Sequence, residues 1–370
     1  MFELILIFFG FYATLFGAVV VIGLFFNFQK EKNYFSIQQS SISKEELVVI
    51  IPFRNEAKRI SIVIESVNRL SSLPKEFVFI NDHSDDETSE IIKNNLKIGN
   101  YRILDLPENI TGKKAGIRYG IENSESQFIL TTDADVAFQS DYIENITRLE
   151  TVDMYLMPVT MKAKKAFGEL YEIDLILVNA VNVGLAGLKR PIMASGANLL
   201  FSRSKFEMYD SFETHKNVAS GDDMYLLRDF RENKCDVRLI SNPIVGIETE
   251  TPQSFKEFID QRLRWLGKTG NLKDHLSTSL AIFQAVLTTA FFAMVFYYLF
   301  IGEFEISLIL LVWKTGIDLV LFAPYFYRIK RMKTWLFIPL YEILFPFYTF
   351  LILALMFVYK PKWKSREIYI

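Results

Sequence analysis

Two carboxylates, Asp133 and Asp135, stand one residue apart behind a short apolar run, Phe128-Ile-Leu130. The run is β-branched and aromatic, follows polar Ser124, Ser126 and Gln127, and reads as a buried strand. A strand continued through Asp133 and Asp135 turns both side chains to one face. Carboxylates this close repel, and burying them is costly unless a cation lies between them. The cation that suits such oxygens is hard and divalent, Mg2+ or Mn2+, and Mg2+ is usually shared with a substrate's phosphates. A loop with two solvated aspartates is the plainer alternative.

The elements that must position this pair are legible upstream. Residues 47–51 read as a strand ended by Pro52, and residues 77–80, 101–104 and 128–130 as three more. Between them, residues 58–70 carry Ile60, Val63, Ile64, Val67 and Leu70 at helical spacing, and residues 87–96 and 113–121 read as two further helices. Alternating strand and helix predicts an α/β fold of the Rossmann-like kind, a parallel sheet with helices on both faces. Ligands of such sheets bind outside the carboxyl ends of the strands. The polar clusters Arg54-Asn-Glu56, Asn81-Asp-His-Ser-Asp-Asp86 and Thr132-Asp-Ala-Asp135 all fall there.

Composition narrows the class. Of 370 residues, 51% are hydrophobic and 34 are Phe, more than a soluble protein of this length carries. A net charge of −2 gives no nucleic-acid signature. The single cysteine, Cys235, rules out an internal disulfide framework and a cysteine zinc cluster and reads as an inert thiol. His83, His215 and His275 are too scattered to form a metal site.

The apolar stretches account for the excess. Residues 4–28 lack charge and are long enough to cross a bilayer, predicting a retained anchor over 1–28. Residues 280–301 and 306–327 predict two spans, and residues 335–359 form a third apolar stretch, broken by Pro339, Glu342 and Pro346, that either spans once or re-enters. Lys30, Lys32 and the cluster Arg328-Ile-Lys-Arg-Met-Lys333 favour the cytoplasm. The chain then divides into the anchor, a cytoplasmic domain over 29–276 and a membrane region over 277–370. Before the second span, Gln261, Arg264, Trp265 and Lys268 share one helix face, with Phe255, Phe258, Ile259, Leu263 and Leu266 largely on another and Arg262 flanking it. Such an amphipathic helix suits the membrane interface. Lys314 and Asp318, four apart inside a span, predict a paired, inward-facing couple, structural within the bundle or, as the second choice, on the acceptor's path.

In order and spacing, Val48-Val-Ile-Ile-Pro-Phe-Arg-Asn-Glu56, Asn81-Asp-His-Ser-Asp-Asp-Glu-Thr88, Gly112-Lys-Lys-Ala-Gly-Ile-Arg-Tyr-Gly120, Thr132-Asp-Ala-Asp135, Ser195-Gly-Ala-Asn198, Ser220-Gly-Asp-Asp223 and Gln261-Arg-Leu-Arg-Trp265 resemble the motifs of glycosyltransferase family 2. The last resembles the Gln-X-X-Arg-Trp motif of its membrane-bound branch, which includes cellulose, chitin and hyaluronan synthases and ceramide glucosyltransferase. The resemblance implies a GT-A nucleotide-sugar domain flanked by transmembrane helices. It implies inverting transfer of a hexose or N-acetylhexosamine from a UDP-sugar to a hydroxyl of a membrane lipid or growing polysaccharide, at the inner (plasma) membrane, with Mg2+ or Mn2+.

By the same resemblance, Pro52 and Glu56 lie in the first nucleotide-contacting loop, and Asp82 accepts from the uracil ring. The alternative for the Asp82 region is a helix cap, which Ser84 or Asp85 could equally supply. Lys113 meets phosphate, with Lys114 a substitute, and Arg118 stands where the family usually has Asn. Asp133 contacts the nucleotide and Asp135 the metal. Asp223 is the general base with Asp222 flanking it, though aspartates also favour a helix first turn. Trp265 floors the acceptor site, with Gln261 and Arg264 towards the diphosphate. Self-association or an export partner would complete a polysaccharide channel. A non-catalytic nucleotide-binding scaffold subunit is the rival reading.

Overall fold

The structure, a computed structural model, describes residues 7–8, 10–12, 15, 17–35, 41–163, 168–212, 221–271, 274–356, 358–359, 362–363 and 366–367. Most of the apolar stretch 4–16, Ser220, His215, the tail lysines Lys360 and Lys364, and the Lys268 side chain lie outside the described residues.

Strands β1 (Leu47–Phe53), β2 (Glu76–Asn81), β3 (Tyr101–Asp105) and β4 (Phe128–Thr132) run parallel in the order β3-β2-β1-β4. In β1, Leu47, Val49, Ile51 and Phe53 alternate with Val48 and Ile50, and all are buried. The first set packs with Ile60, Val63, Ile64 and Val67, the second with Ile117, Ile121, Ile176, Ala180 and Val183. Helices on both faces therefore explain why the strands read as continuous apolar runs. Each such buried side chain contributes about 1.5–3 kcal/mol.

The strand does not end at Pro52. Pro52 pairs in register with Ile80, whereas the last β1 residue opposite β4 is Ile50. The missing N–H thus falls where the sheet has already lost a neighbour. Nor is the sheet wholly parallel. After the short β5 (Ala137–Phe138) come β6 (Met154–Leu156), β7 (Val159–Lys162), β8 (Asn198–Ser202), β9 (Val237–Leu239) and β10 (Ile247–Glu250). The large sheet extends as β4-β8-β6-β9, with β8 antiparallel to both neighbours, while β5, β10 and β7 form a small second sheet. Runs of three to five residues in β6, β8 and β9 are too short to show a period.

The helices are α1 (Gly23–Tyr34), α2 (Ile60–Asn68), α3 (Thr88–Asn95), α4 (Lys113–Glu122), α5 (Tyr142–Thr147), α6 (Gly168–Gly187), α7 (Arg203–Tyr209), α8 (Asp222–Glu232), α9 (Phe255–Asn271), α10 (His275–Phe300), α11 (Phe304–Arg328), α12 (Met332–Trp335) and α13 (Ile338–Met356). Helix α1 continues through position 28 to Tyr34. Its last turns dock on the sheet domain, with Asn27 donating to Leu239 O at 3.2 Å and Glu31 accepting from Ser241 Oγ at 2.7 Å. Upstream, α6 crosses this segment at contact distance. A Cβ on Gly187 would lie 1.9 Å from Gly23 O, and one on Gly184 2.4 Å from Val19 O, so only glycine fits.

Among the described residues, α6, α10, α11 and α13 are long and apolar enough to cross a membrane. Helix α6, absent from the sequence expectation, packs both on the sheet and against the α1 segment. Its most apolar window is 56% buried, against 28% in the other three. Its polar residues also hold the segments it packs on, Glu172 accepting from Met161 N of β7 at 3.0 Å and Asn182 from Ile192 N at 2.8 Å. Helix α13 runs unbroken through the predicted interruption. Pro339 sits in its first turn, where no donor is missed, and Glu342 is buried against Lys314. Lys314 also donates to Asp318 at 2.8 Å, and Tyr12 OH donates to Asp318 at 2.9 Å, so the predicted couple is part of a larger group.

Candidate active site

At the carboxyl ends of β1 and β2, two loops are stapled together. Arg54 donates to the carbonyls of Asp82 (2.7 Å) and His83 (2.8 Å), Asn55 N to Ser84 Oγ (3.1 Å), Glu56 N to Thr88 Oγ1 (2.9 Å) and Ala57 N to Asp86 Oδ2 (3.0 Å). Asn55 and His83 hold left-handed backbone, φ 50° and 54°, which Asn tolerates and which the His83 ring's contact with Ile110 O at 2.9 Å secures. Asp82 is 2% exposed at this junction, and Pro52 is buried within β1 beneath Gly116. The helix cap is neither Ser84 nor Asp85. Asp86 takes the Thr88 amide at 3.1 Å, leaving Asp82 outside that duty.

The Asp-X-Asp stretch is a turn, since β4 stops at Thr132. The alternation nevertheless persists, with Ala134 and Val136 buried and the Asp133 and Asp135 side chains 35% and 24% exposed. Asp133 pairs with Lys113, and Asp135 lies 3.6 Å from the Arg59 guanidinium. Arg59, just before α2, carries no sequence signal beyond its charge.

Gly112, at φ 101°, and Gly221, at φ 92°, turn the chain into α4 and α8 in conformations other residues resist, placing Lys113 and Asp222 in the first turns. The helices bring Lys113, Asp133, Asp222 and Asp223 together around Gly196. A Cβ on Gly196 would stand 3.3 Å from Asp222 Oδ2, 3.6 Å from Lys113 Nζ and 3.7 Å from Asp223 Cβ. Burial works to lower the Lys113 ammonium, but Asp133, Asp222 and Asp223 together hold it above its ordinary value. Asp223, 7% exposed, accepts from Gly196 N at 3.0 Å and Met224 N at 2.9 Å. Gly196 is therefore a site residue that the sequence placed in a motif without a role. Arg118 lines the same pocket as Asp222 and Asp223, where it donates to Asp210 at 3.1 Å and covers the Phe212 ring, and it also donates to Glu122 at 2.9 Å. Burial raises the Asp210 carboxyl to about 6 despite Arg118.

On α9 the organising residue is Arg262, which the sequence placed only at the edge of an apolar face. It pairs with Asp174 of α6, donates to Tyr171 O and Gln261 Oε1, each at 2.6 Å, and stacks between Phe258 and Trp265 at 4.5 and 4.3 Å. Burial lowers the Arg264 guanidinium, with Asp260 acting in the opposite sense. Gln261 and Trp265 both touch Arg262 and so belong to the α6–α9 joint.

Fold and site define an α/β protein with its polar centre at the carboxyl ends of parallel strands, joined to apolar helices. Residues 48–174 match Glycosyl transferase family 2, and residues 128–359 match Glycosyl transferase family group 2. The chain belongs to the latter family. It is 33% identical over 108 residues to dolichyl-phosphate beta-glucosyltransferase ALG5C of Trichomonas vaginalis, covering 27% of this chain and 32% of that protein. It is 27% identical over 135 residues to poly-beta-1,6-N-acetyl-D-glucosamine synthase of Staphylococcus aureus, covering 35% and 32%. The chain spans about a third of the length of these curated relatives. A mannosyltransferase from Pyrobaculum calidifontis, solved with GDP-Man and Mn2+, superposes with a TM-score of 0.47 at 16% identity, covering 90% of this chain and 97% of that one.

Proposed function

We propose that this chain is a membrane-bound inverting glycosyltransferase of the Gln-X-X-Arg-Trp branch. It moves a hexose or N-acetylhexosamine from a UDP-sugar to a hydroxyl of a lipid or growing polysaccharide. The observation that carries this reading is the gathering of Lys113, Asp133, Asp222 and Asp223 around Gly196 at the end of β4.

Each residue then has a task. Asp82, beside the stapled loops with Glu56 and Pro52, accepts the uracil N–H. Lys113 exchanges Asp133 for the donor's diphosphate. Asp223, oriented by two amides, takes the proton from the acceptor hydroxyl, which attacks the anomeric carbon from the side opposite the departing UDP. Asp222 lies beside it and orients the turn. Arg264 and Gln261 serve the diphosphate and Trp265 the acceptor, from α9. The half-exposed carboxylates of Asp133 and Asp135 fit Mg2+ or Mn2+, because a cation shared with phosphates needs only one or two protein carboxylates. When bound, the ion offsets charge developing on the leaving diphosphate.

The test is UDP release and product mass by the full chain in detergent, with Mn2+ and native lipid extract. UDP-glucose, UDP-galactose and UDP-N-acetylglucosamine serve as donors. Transfer with one donor is expected, a ladder of masses marking a polysaccharide and one step a lipid. A wild-type chain that binds UDP-sugar but transfers with none would instead be the scaffold. Asp135→Ala should weaken donor binding in Mn2+ far more than in EDTA. Equal wild-type affinity in both media would remove the ion from donor binding.

The catalytic domain is assigned to the cytoplasmic side of a plasma membrane. Position 97 is exposed, so Lys97→Cys in a Cys235→Ser background should resist a membrane-impermeant thiol reagent in intact cells and react after lysis. Ready labelling of intact cells would invert the topology.

A further inference from the structure

The basic cluster at 328–333 does more than mark topology, because two of its cations reach into the catalytic domain. Arg328 donates to Glu31 at 2.8 Å, and that carboxylate is 1% exposed. Arg331, just beyond α11, reaches further. Its Nη2 lies 2.5 Å from Glu248 Oε1, 3.2 Å from Met161 O and 3.4 Å from Thr160 Oγ1, while Nε lies 3.3 Å from Glu172 Oε1. Those acceptors belong to β10, β7 and α6.

We infer that Arg331 is a positioning residue that sets the catalytic domain against the membrane bundle and so aligns the acceptor side of the site with the donor side. The inference rests on the proposed transfer reaction. The elements it grips lead directly to both sides. Strand β10 pairs with β5, which begins two residues after Asp135, and five residues beyond β10 the chain enters α9 with Gln261, Arg264 and Trp265. Helix α6 carries Asp174, the partner of Arg262 on that same α9. A planar guanidinium can hold a carboxylate on each of two elements and a carbonyl on a third at fixed angles, and a lysine ammonium cannot reproduce that fork. Arg331 touches none of the residues assigned to donor or base, so its effect is on alignment alone.

The experiment compares wild type, Arg331→Lys and Arg331→Ala as full chains in nanodiscs. UDP-sugar Kd, UDP release without acceptor and transfer to lipid extract are measured, together with amide hydrogen exchange. Donor Kd and acceptor-free UDP release should change far less than transfer, because Asp82, Lys113, Asp133 and Asp135 stay with the parallel strands and only Gln261 and Arg264 ride on α9. Transfer should fall about 10–100-fold in Arg331→Ala, the size of effect a misplacement of about 1 Å produces, and less in Arg331→Lys. Exchange should quicken in residues 247–271 and not in β1–β4. Unchanged transfer and exchange would overturn the inference, as would equal losses of donor binding and transfer, which mark a general folding role. If wild type itself transfers nothing, the reaction reading fails and the exchange pattern alone decides the joint.

Discussion

Asp223→Asn is expected to bind donor close to normally and lose about 10²–10⁴ in kcat, the contribution of a general base. A hydroxyl is a weak nucleophile until its proton leaves as the new bond forms, and Asn cannot take that proton. The structure adds a second consequence. One carboxylate oxygen of Asp223 accepts from Gly196 N and the other from Met224 N. Each oxygen has two lone-pair directions, so a hydroxyl can still be met. An Asn side chain can accept only one of the two amides and must turn its NH2 towards the other. Some slackening at Gly196 is therefore expected alongside the loss of the base, visible as faster exchange of that amide. Asp222→Asn should cost less, because Asp222 serves the turn. Near-wild-type kcat in Asp223→Asn at saturating donor and acceptor would sink the assignment. A larger loss at Asp222 would move the base one residue back.

What the sequence disclosed and withheld follows from range. The four parallel strands and their helices were legible because each apolar run is flanked by polar turn residues and each helix repeats within its own length. The strand ends that hold Glu56, Asp82 and Asp133 followed from the parallel order alone. The antiparallel β8 was not legible, because Asn198–Ser202 is short and its direction is fixed only by pairing with β4 and β6. Helix α6 has no legible period because it is apolar almost all round yet punctuated by Glu172, Asp174 and Asn182, polar residues whose partners lie elsewhere in the chain. Arg59 opposite Asp135, and Arg331 between Glu248 and Glu172, are pairings across long stretches of sequence. No local pattern encodes them. The ordered motifs carried the candidate site further than periodicity could, yet Gly196 needed the three-dimensional meeting of α4 and α8 to acquire a role.

The same distance between sequence and partner underlies the second large effect. Arg262→Ala is expected to destabilise the chain by about 3–5 kcal/mol, because removing one member of a buried ion pair strands the other's charge. Arg262 and Asp174 side chains are only 6% and 10% exposed, so water cannot take over. Tyr171 O and Gln261 Oε1 lose their donors, and the Phe258 and Trp265 rings lose the cation between them. Thermal unfolding in detergent should show the fall in Tm. The double variant Arg262→Met with Asp174→Leu removes both charges and keeps apolar volume, an exchange that is often neutral or stabilising for buried pairs, so Tm should return. Transfer should not return with it, because Gln261 and Trp265 would still lack the guanidinium that orients them. A single variant that melts with wild type would show the pair to be inert. Recovery of both Tm and transfer in the double variant would reduce Arg262 to packing and detach Gln261 and Trp265 from it.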